Sequence, residues 1–213
     1  MKIKVCGLRD AENIKAVAAL GSDYIGLIRY DLSPRYVNNL DDAGLNDIPE
    51  TILKTGVFVN ESAEKIQQLI DEYGLNAIQL HGNESADFAA AFKNKVVVLK
   101  AFGVGESFDF KQLENYAGSV DFFLFDTKTA AHGGSGQSFN WDILNDYHLD
   151  VPFFLSGGLS IDNLHEIASI KHPQFYGVDL NSRFETSPGM KDIEKLKKAF
   201  AIVKQYTTNE IRS

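Results

Sequence analysis

The chain has 213 residues, 44% of them hydrophobic, and its 29 acidic against 21 basic side chains give a formal charge of -8. That is enough apolar material for one substantial core and short of two, so a single domain over 1–213 is expected. An acidic balance without a basic block excludes nucleic acid and an anionic membrane surface as expected partners, no apolar run has the roughly 18 residues of a spanning helix, and a lone cysteine fits a reducing cytoplasm.

The first stretch, KIKVCG at 2–7, reads as a strand ending in Cys6 and Gly7. Asp10 then caps a helix reaching about Leu20, whose apolar residues are Ile14, Val17 and Ala18. Strand two is YIGLI at 24–28, followed by a loop with Ser33, Pro34 and Arg35 and a short helix expected around 41–47. Strand three lies within 53–59, and Ser62 caps a helix with Ile66, Leu69 and Ile70 on its apolar face. AIQL at 77–80 is strand four, ending in His81 and Gly82, with a helix from near Glu84 that closes before Lys95. VVVLKAF is strand five, a helix is expected over 108–116, and strand six, VDFFLF, ends in Asp126. The glycine-rich segment HGGSGQSF at 132–139 is longer and more polar than a plain turn needs. A helix from near Trp141, strand seven in PFFLS, a helix from Ser160 or Ile161 after Gly157 and Gly158, strand eight in FYGVD at 175–179 and a last helix over 191–206 complete the chain.

Eight strand–helix pairs in this length close naturally into a (β/α)8 TIM barrel, an α/β fold whose active site is built from loops at the carboxyl ends of the strands. An open doubly wound sheet is the alternative, and neither GxGxxG after strand one nor a Walker lysine loop supports it. Closure would gather Cys6, Arg35, His81, Asp126 and Asp179 over one mouth.

Each of these residues has an ordinary reading beside a chemical one. Cys6 is a buried small hydrophobe or a thiolate base, and the latter role needs a depressed pKa. Asp126 is a helix cap or a general acid, its pKa raised by the most apolar strand in the chain. Arg35 is a solvent-facing ion pair or a fork for a substrate carboxylate. Asp179 either orients sugar hydroxyls or caps the next segment, while a lone His81 is more often a satisfied polar group than a catalyst. Gly157 and Gly158 after strand seven, with Asn181, Ser182 and Arg183 after strand eight, suit a phosphate site, although glycine pairs also make plain turns. Lys100 at a strand end keeps a Schiff-base aldolase in play.

The motifs KVCGLRD at 4–10, SPRYV at 33–37, VFVN at 57–60, IQLHGNE at 78–84, LFDT at 124–127, GGSGQSFNW at 133–141, LSGGLS at 155–160, VDLNSRFE at 178–185 and PGMKD at 188–192 together resemble the phosphoribosylanthranilate isomerases of tryptophan biosynthesis. The resemblance implies a cofactor-free and metal-free Amadori rearrangement of a phosphorylated sugar–anthranilate conjugate on a TIM barrel. It implies Asp126 as acid and Cys6 as base, Arg35 on the anthranilate carboxylate, Asp179 on the sugar, His81 lining the site, and Gly157, Gly158, Asn181 and Ser182 around the phosphate. Two residues depart from the family's pattern: Arg29 replaces an expected apolar residue and Arg183 an expected glycine, both adding positive charge near a doubly anionic substrate. Another sugar-phosphate isomerase, epimerase or aldolase, or a non-catalytic phosphometabolite-binding barrel, is the rival reading. The sequence leaves monomer and homodimer equally open.

Overall fold

A computed structural model describes residues 1–39, 44–127 and 140–210. Strands β1 (Lys2–Cys6), β2 (Tyr24–Ile28), β3 (Leu53–Phe58), β4 (Ala77–Leu80), β5 (Val97–Val104), β6 (Phe122–Thr127), β7 (Phe153–Leu155) and β8 (Phe175–Leu180) pair in sequence order, and β8 returns to β1 to close a barrel. Every neighbouring pair is parallel, so each connection must run back outside the barrel. The glycine-rich segment at 132–139 and the first part of the helix expected at 41–47 lie outside the described residues.

The alternation of side chains along each strand produces two cores. One face packs Ile3, Val5, Ile25, Ile78, Phe123, Phe125 and Val178 against the surrounding segments. The other fills the barrel's axis with Tyr24, Ala77, Leu99, Ala101, Leu124 and Phe154. Above that apolar plug the inward positions turn polar, and that change marks the site.

Helices α1 (Ala11–Ala19), α2 (Ala63–Tyr73), α3 (Ala86–Ala90) and α4 (Ile193–Glu210) pack outside. The Asp10 side chain accepts from Asn13 N–H and Ser62 from Lys65 N–H, so both expected caps form. α3 is shorter than its pattern predicts. It begins after Ser85 rather than at Glu84, whose carboxylate instead accepts backbone N–H groups of Asn60, after β3, and Gly82, after β4.

Three expected α-helices are 3-10 segments, at Phe110–Tyr116, Trp141–Asp146 and Leu164–Ser169. The 3-10 form rises about 2.0 Å per residue against about 1.5 Å for α, so it crosses the sheet face with fewer residues. A second difference lies near the carboxyl end. Residues expected to lead directly into the last helix fold as a hairpin of β9 (Glu185–Ser187) and β10 (Met190–Lys191). The helix therefore starts at Ile193, where Asp192 caps it by accepting from Lys195 N–H. None of the helices among the described residues is long and apolar enough to cross a membrane.

Candidate active site

Strand parity delivers the site's side chains. Leu124 points into the barrel, so Asp126, two residues on in β6, points the same way at its upper rim. Lys4 and Cys6 share the inward face of β1, as Gln79 and Ala77 share that of β4. These side chains line a cavity of about 340 Å³ whose wall includes Cys6, Arg35, His81, Asp126 and Asp179, with Gly157, Gly158, Asn181 and Ser182 on one side. Arg183, expected with the phosphate-site residues, is off this wall; its side chain is exposed on the 3-10 turn Ser182–Phe184.

Asp126 sits where a carboxyl resists ionisation. Burial pushes its pKa up to about 6, with Asp179 adding to the effect while the Thr127 N–H and Lys4 oppose it. Thr127 N–H donates to its Oδ1 at 2.8 Å, and the His81 Nε2 lies 3.7 Å from Oδ2. Gln79 Nε2 meets His81 Nδ1 at 2.8 Å; with the Gln79 amide donating, the ring proton sits on Nε2, facing Asp126. The loop after β7 closes over the same carboxyl. At Gly157, with φ of 81°, a Cβ would lie 2.4 Å from Thr127 N and 2.5 Å from Asp126 Oδ1, so a side chain there would displace the acid.

Cys6 differs from the expectation for a base. Burial pushes its thiol above the ordinary value; Lys4 and Lys191 pull it back and Asp179 works against them. The sequence argument required a depressed pKa, but a strand-end thiol packed at 3% exposure loses more to desolvation than two ammonium groups return. Lys4, fully buried, donates to Asp179 Oδ2 at 2.8 Å. Although burial works against its charge, the Asp179 carboxylate and the Cys6 sulfur keep Lys4 above its ordinary pKa. Among the described residues the second Asp179 oxygen, Oδ1, is buried without a hydrogen-bond partner, as is Gln79 Oε1.

Arg35 reaches the cavity with part of its guanidinium already engaged: Nε and Nη2 donate to Glu185 at 2.8–3.0 Å. The other two cations considered in the sequence do not reach the cavity wall. Lys100 lies between inward-facing Leu99 and Ala101 and so points outward, where it donates to the carbonyls of Leu80, Gly82 and Ala101 and pairs with Glu84 at 3.3 Å. Burial lowers its pKa, against the pull of Glu84, but it has no path to a substrate in the cavity. Arg29 donates to the carbonyls of Val37 and Asn38 and stacks on Tyr36, so it braces the SPRY loop instead of adding charge to the site.

Sequence reasoning gave no role to Lys4, Gln79, Glu185 or Lys191. For the first two the signal was present: each lies two residues before a singled-out side chain on the same strand face. Glu185 carries no local signal because its partner Arg35 is 150 residues away, and Lys191 enters the site through Glu185 and Asn181.

A profile of N-(5'phosphoribosyl)anthranilate (PRA) isomerase matches residues 3–202. The chain belongs to the PRA isomerase family. It is 44% identical over 200 residues to the N-(5'-phosphoribosyl)anthranilate isomerase of Parabacteroides distasonis, covering 92% of this chain and 90% of that one. The crystal structure of phosphoribosyl anthranilate isomerase from Thermotoga maritima superimposes with a TM-score of 0.85 at 32% identity, over 96% of this chain and 99% of the other. Another PRA isomerase structure, in complex with reduced 1-(o-carboxyphenylamino)-1-deoxyribulose 5-phosphate, gives 0.81 at 29% identity with the same coverage. As a PRA isomerase the protein is an isomerase of tryptophan biosynthesis built on a TIM barrel.

Proposed function

We propose that the cavity carries out the Amadori rearrangement of N-(5'-phosphoribosyl)anthranilate to 1-(2-carboxyphenylamino)-1-deoxyribulose 5-phosphate, with Asp126 as general acid and Cys6 as general base. The observation that carries this reading is one wall lined by a carboxyl held near pH 6 from β6 and a thiol from β1. Substrate and product contain the same atoms, so the step needs proton transfers and no external oxidant or reductant.

Protonated Asp126 gives its proton to the furanose ring oxygen, and the bond from that oxygen to the first sugar carbon breaks as the nitrogen lone pair forms a cationic Schiff base. Cys6, as thiolate, takes the proton from the adjacent carbon, and the electron pair left behind flows towards the nitrogen to give an enolamine that tautomerises to the ketone. The buried thiol receives help from Lys4 and Lys191, and the Schiff base cation forming beside it favours the thiolate further.

The remaining wall suits the substrate's two ends. Arg35 binds the anthranilate carboxylate. The backbone of Gly157, Gly158, Asn181 and Ser182 takes the phosphate, and Asp179 Oδ1, buried and unpartnered, accepts from a sugar hydroxyl. His81 lines the site beside the acid. Arg183, exposed and off the wall, is left out of the phosphate site. The aldolase alternative loses its nucleophile because Lys100 faces away from the cavity. The test is turnover of N-(5'-phosphoribosyl)anthranilate, followed by its fluorescence, in Cys6→Ser and Asp126→Asn. At pH 6 both should lose at least about 100-fold in kcat, and near-normal rates in both at that pH would reject the assignment.

A further inference from the structure

We propose that Glu185 is a positioning residue that sets substrate recognition: it holds one edge of the Arg35 guanidinium so that the other edge reads the substrate's aromatic carboxylate. The inference deepens the role given to Arg35 above and rests on it. A guanidinium offers two planar edges with parallel donors, Nε/Nη2 and Nη1/Nη2, each matching a carboxylate. Glu185 takes the first: Nε donates to Oε1 at 2.9 Å and to Oε2 at 3.0 Å, and Nη2 donates to Oε2 at 2.8 Å. A single-edge clamp of this kind fixes the plane and rotation of the fork before substrate arrives, which removes ordering cost from binding.

The clamp is itself held. Lys191 Nζ donates to Glu185 Oε1 at 2.6 Å and to Asn181 Oδ1 at 2.7 Å, and the Gly189 N–H reaches Oε1 at 3.2 Å. Asn13 of α1 grips the Lys191 backbone on both sides, accepting from its N–H at 2.7 Å and donating to its carbonyl at 2.9 Å. The Arg35 stem and the Asn181 amide both pass over Gly7, where a Cβ would lie 2.6 Å and 2.7 Å from them. The hairpin β9–β10 thus supplies both charged members of the clamp and ties the Arg35 end of the cavity to Asn181. Charge supports the same reading. Glu185 lies between two cations, and with Lys191 charged, as Glu185 favours and burial opposes, the three carry one net positive charge at the end of the cavity where a carboxylate would dock. Burial works against the Glu185 charge, and Arg35 and Lys191 together overcome it, so it is ionised throughout the neutral range.

Two probes test this by titration calorimetry: reduced 1-(o-carboxyphenylamino)-1-deoxyribulose 5-phosphate, and the same compound without its ring carboxyl. Glu185→Gln should weaken the carboxylated probe about tenfold and the other less than twofold, with Glu185→Asp between Gln and the native residue. Should Glu185→Gln fail to fold, Glu185→Asp carries the same comparison between the two probes. Equal weakening of both probes would show that Glu185 only holds the fold and would overturn the proposal. Tighter binding of the carboxylated probe would overturn it too, because Glu185 would then be a competitor for Arg35. If the native protein binds both probes equally well, the failure lies in the carboxylate role of Arg35 itself.

Discussion

Asp126→Asn separates the acid from the base in a pH profile. Burial pushes the Asp126 carboxyl up to about 6 and the Cys6 thiol above its ordinary value, so in the proposed mechanism the reactive form pairs a protonated carboxyl with a thiolate. Its population is the product of two fractions. Below about pH 6 the carboxyl stays protonated and kcat/KM climbs about tenfold per pH unit with the thiolate. Above that, each unit removes about as much acid as it adds base, and the native profile levels off. Asparagine cannot titrate. The variant should start about 10²–10⁴-fold below native at pH 6 and then keep climbing, by about 100-fold from pH 6 to 8. Initial rates of fluorescence loss from N-(5'-phosphoribosyl)anthranilate, at substrate well below KM, give both curves. A variant profile that stays level between pH 6 and 8 would refute the pairing of these two groups.

The same substitution has a signed effect on stability. Raising the Asp126 pKa from 3.8 to about 6 means that the folded state binds the proton more tightly than the unfolded chain. The contribution of Asp126 to stability is therefore fullest below about pH 4 and is lost, by about 3 kcal/mol, as pH rises through 6. The asparagine variant lacks this loss. Its thermal unfolding should match the native protein near pH 4 and lie several degrees higher at pH 8. An enzyme that becomes more stable as it loses its acid would show that the raised pKa is maintained at the expense of the fold.

Four further outcomes follow from the geometry. Gly157→Ala forces a Cβ within 2.5 Å of Asp126 Oδ1 at a φ of 81°, so kcat should fall by about 100-fold or more, with a loss of about 1–3 kcal/mol in urea unfolding. Iodoacetamide should alkylate Cys6 slowly at pH 7 and faster as pH rises towards 9 and beyond, measured by mass spectrometry; rapid, pH-independent labelling from pH 6 would contradict a thiol raised by burial. Lys100→Met should leave kcat within a few-fold, and borohydride should trap no adduct on the native Lys100, since its ammonium faces the Gly82 carbonyl and Glu84. Lys4→Met strands the Asp179 carboxylate in the barrel and should cost about 3–5 kcal/mol in denaturant unfolding, most of it recovered in Lys4→Met with Asp179→Asn; a loss below about 1 kcal/mol for the single variant would mean that the pair is solvated.

Much of the molecule is legible in one dimension because the βα unit is local. Strand YIGLI, the caps Asp10 and Ser62 and the order of eight strands follow from hydrophobic period and capping chemistry, and parallel closure follows from the unit's repetition. Strand-end position likewise placed Cys6, His81, Asp126 and Asp179 on a common rim. Parity along a strand is equally local, and applied to VVVLKAF it turns Lys100 outward between Leu99 and Ala101.

What the chain in one dimension does not contain is the balance of fields that each side chain meets after closure. The thiol of Cys6 is governed by desolvation against Lys4, on its own strand, and Lys191, from the far end of the chain. Arg35 finds Glu185, and Asp179 finds Lys4 at a separation of 175 residues, only because β8 closes on β1. Charge interactions depend on distance and on exclusion of water, and both are fixed by the three-dimensional packing. The residue types and their strand ends were therefore set by the sequence, while the protonation state of the thiol and the clamp on Arg35 were decided when the barrel closed.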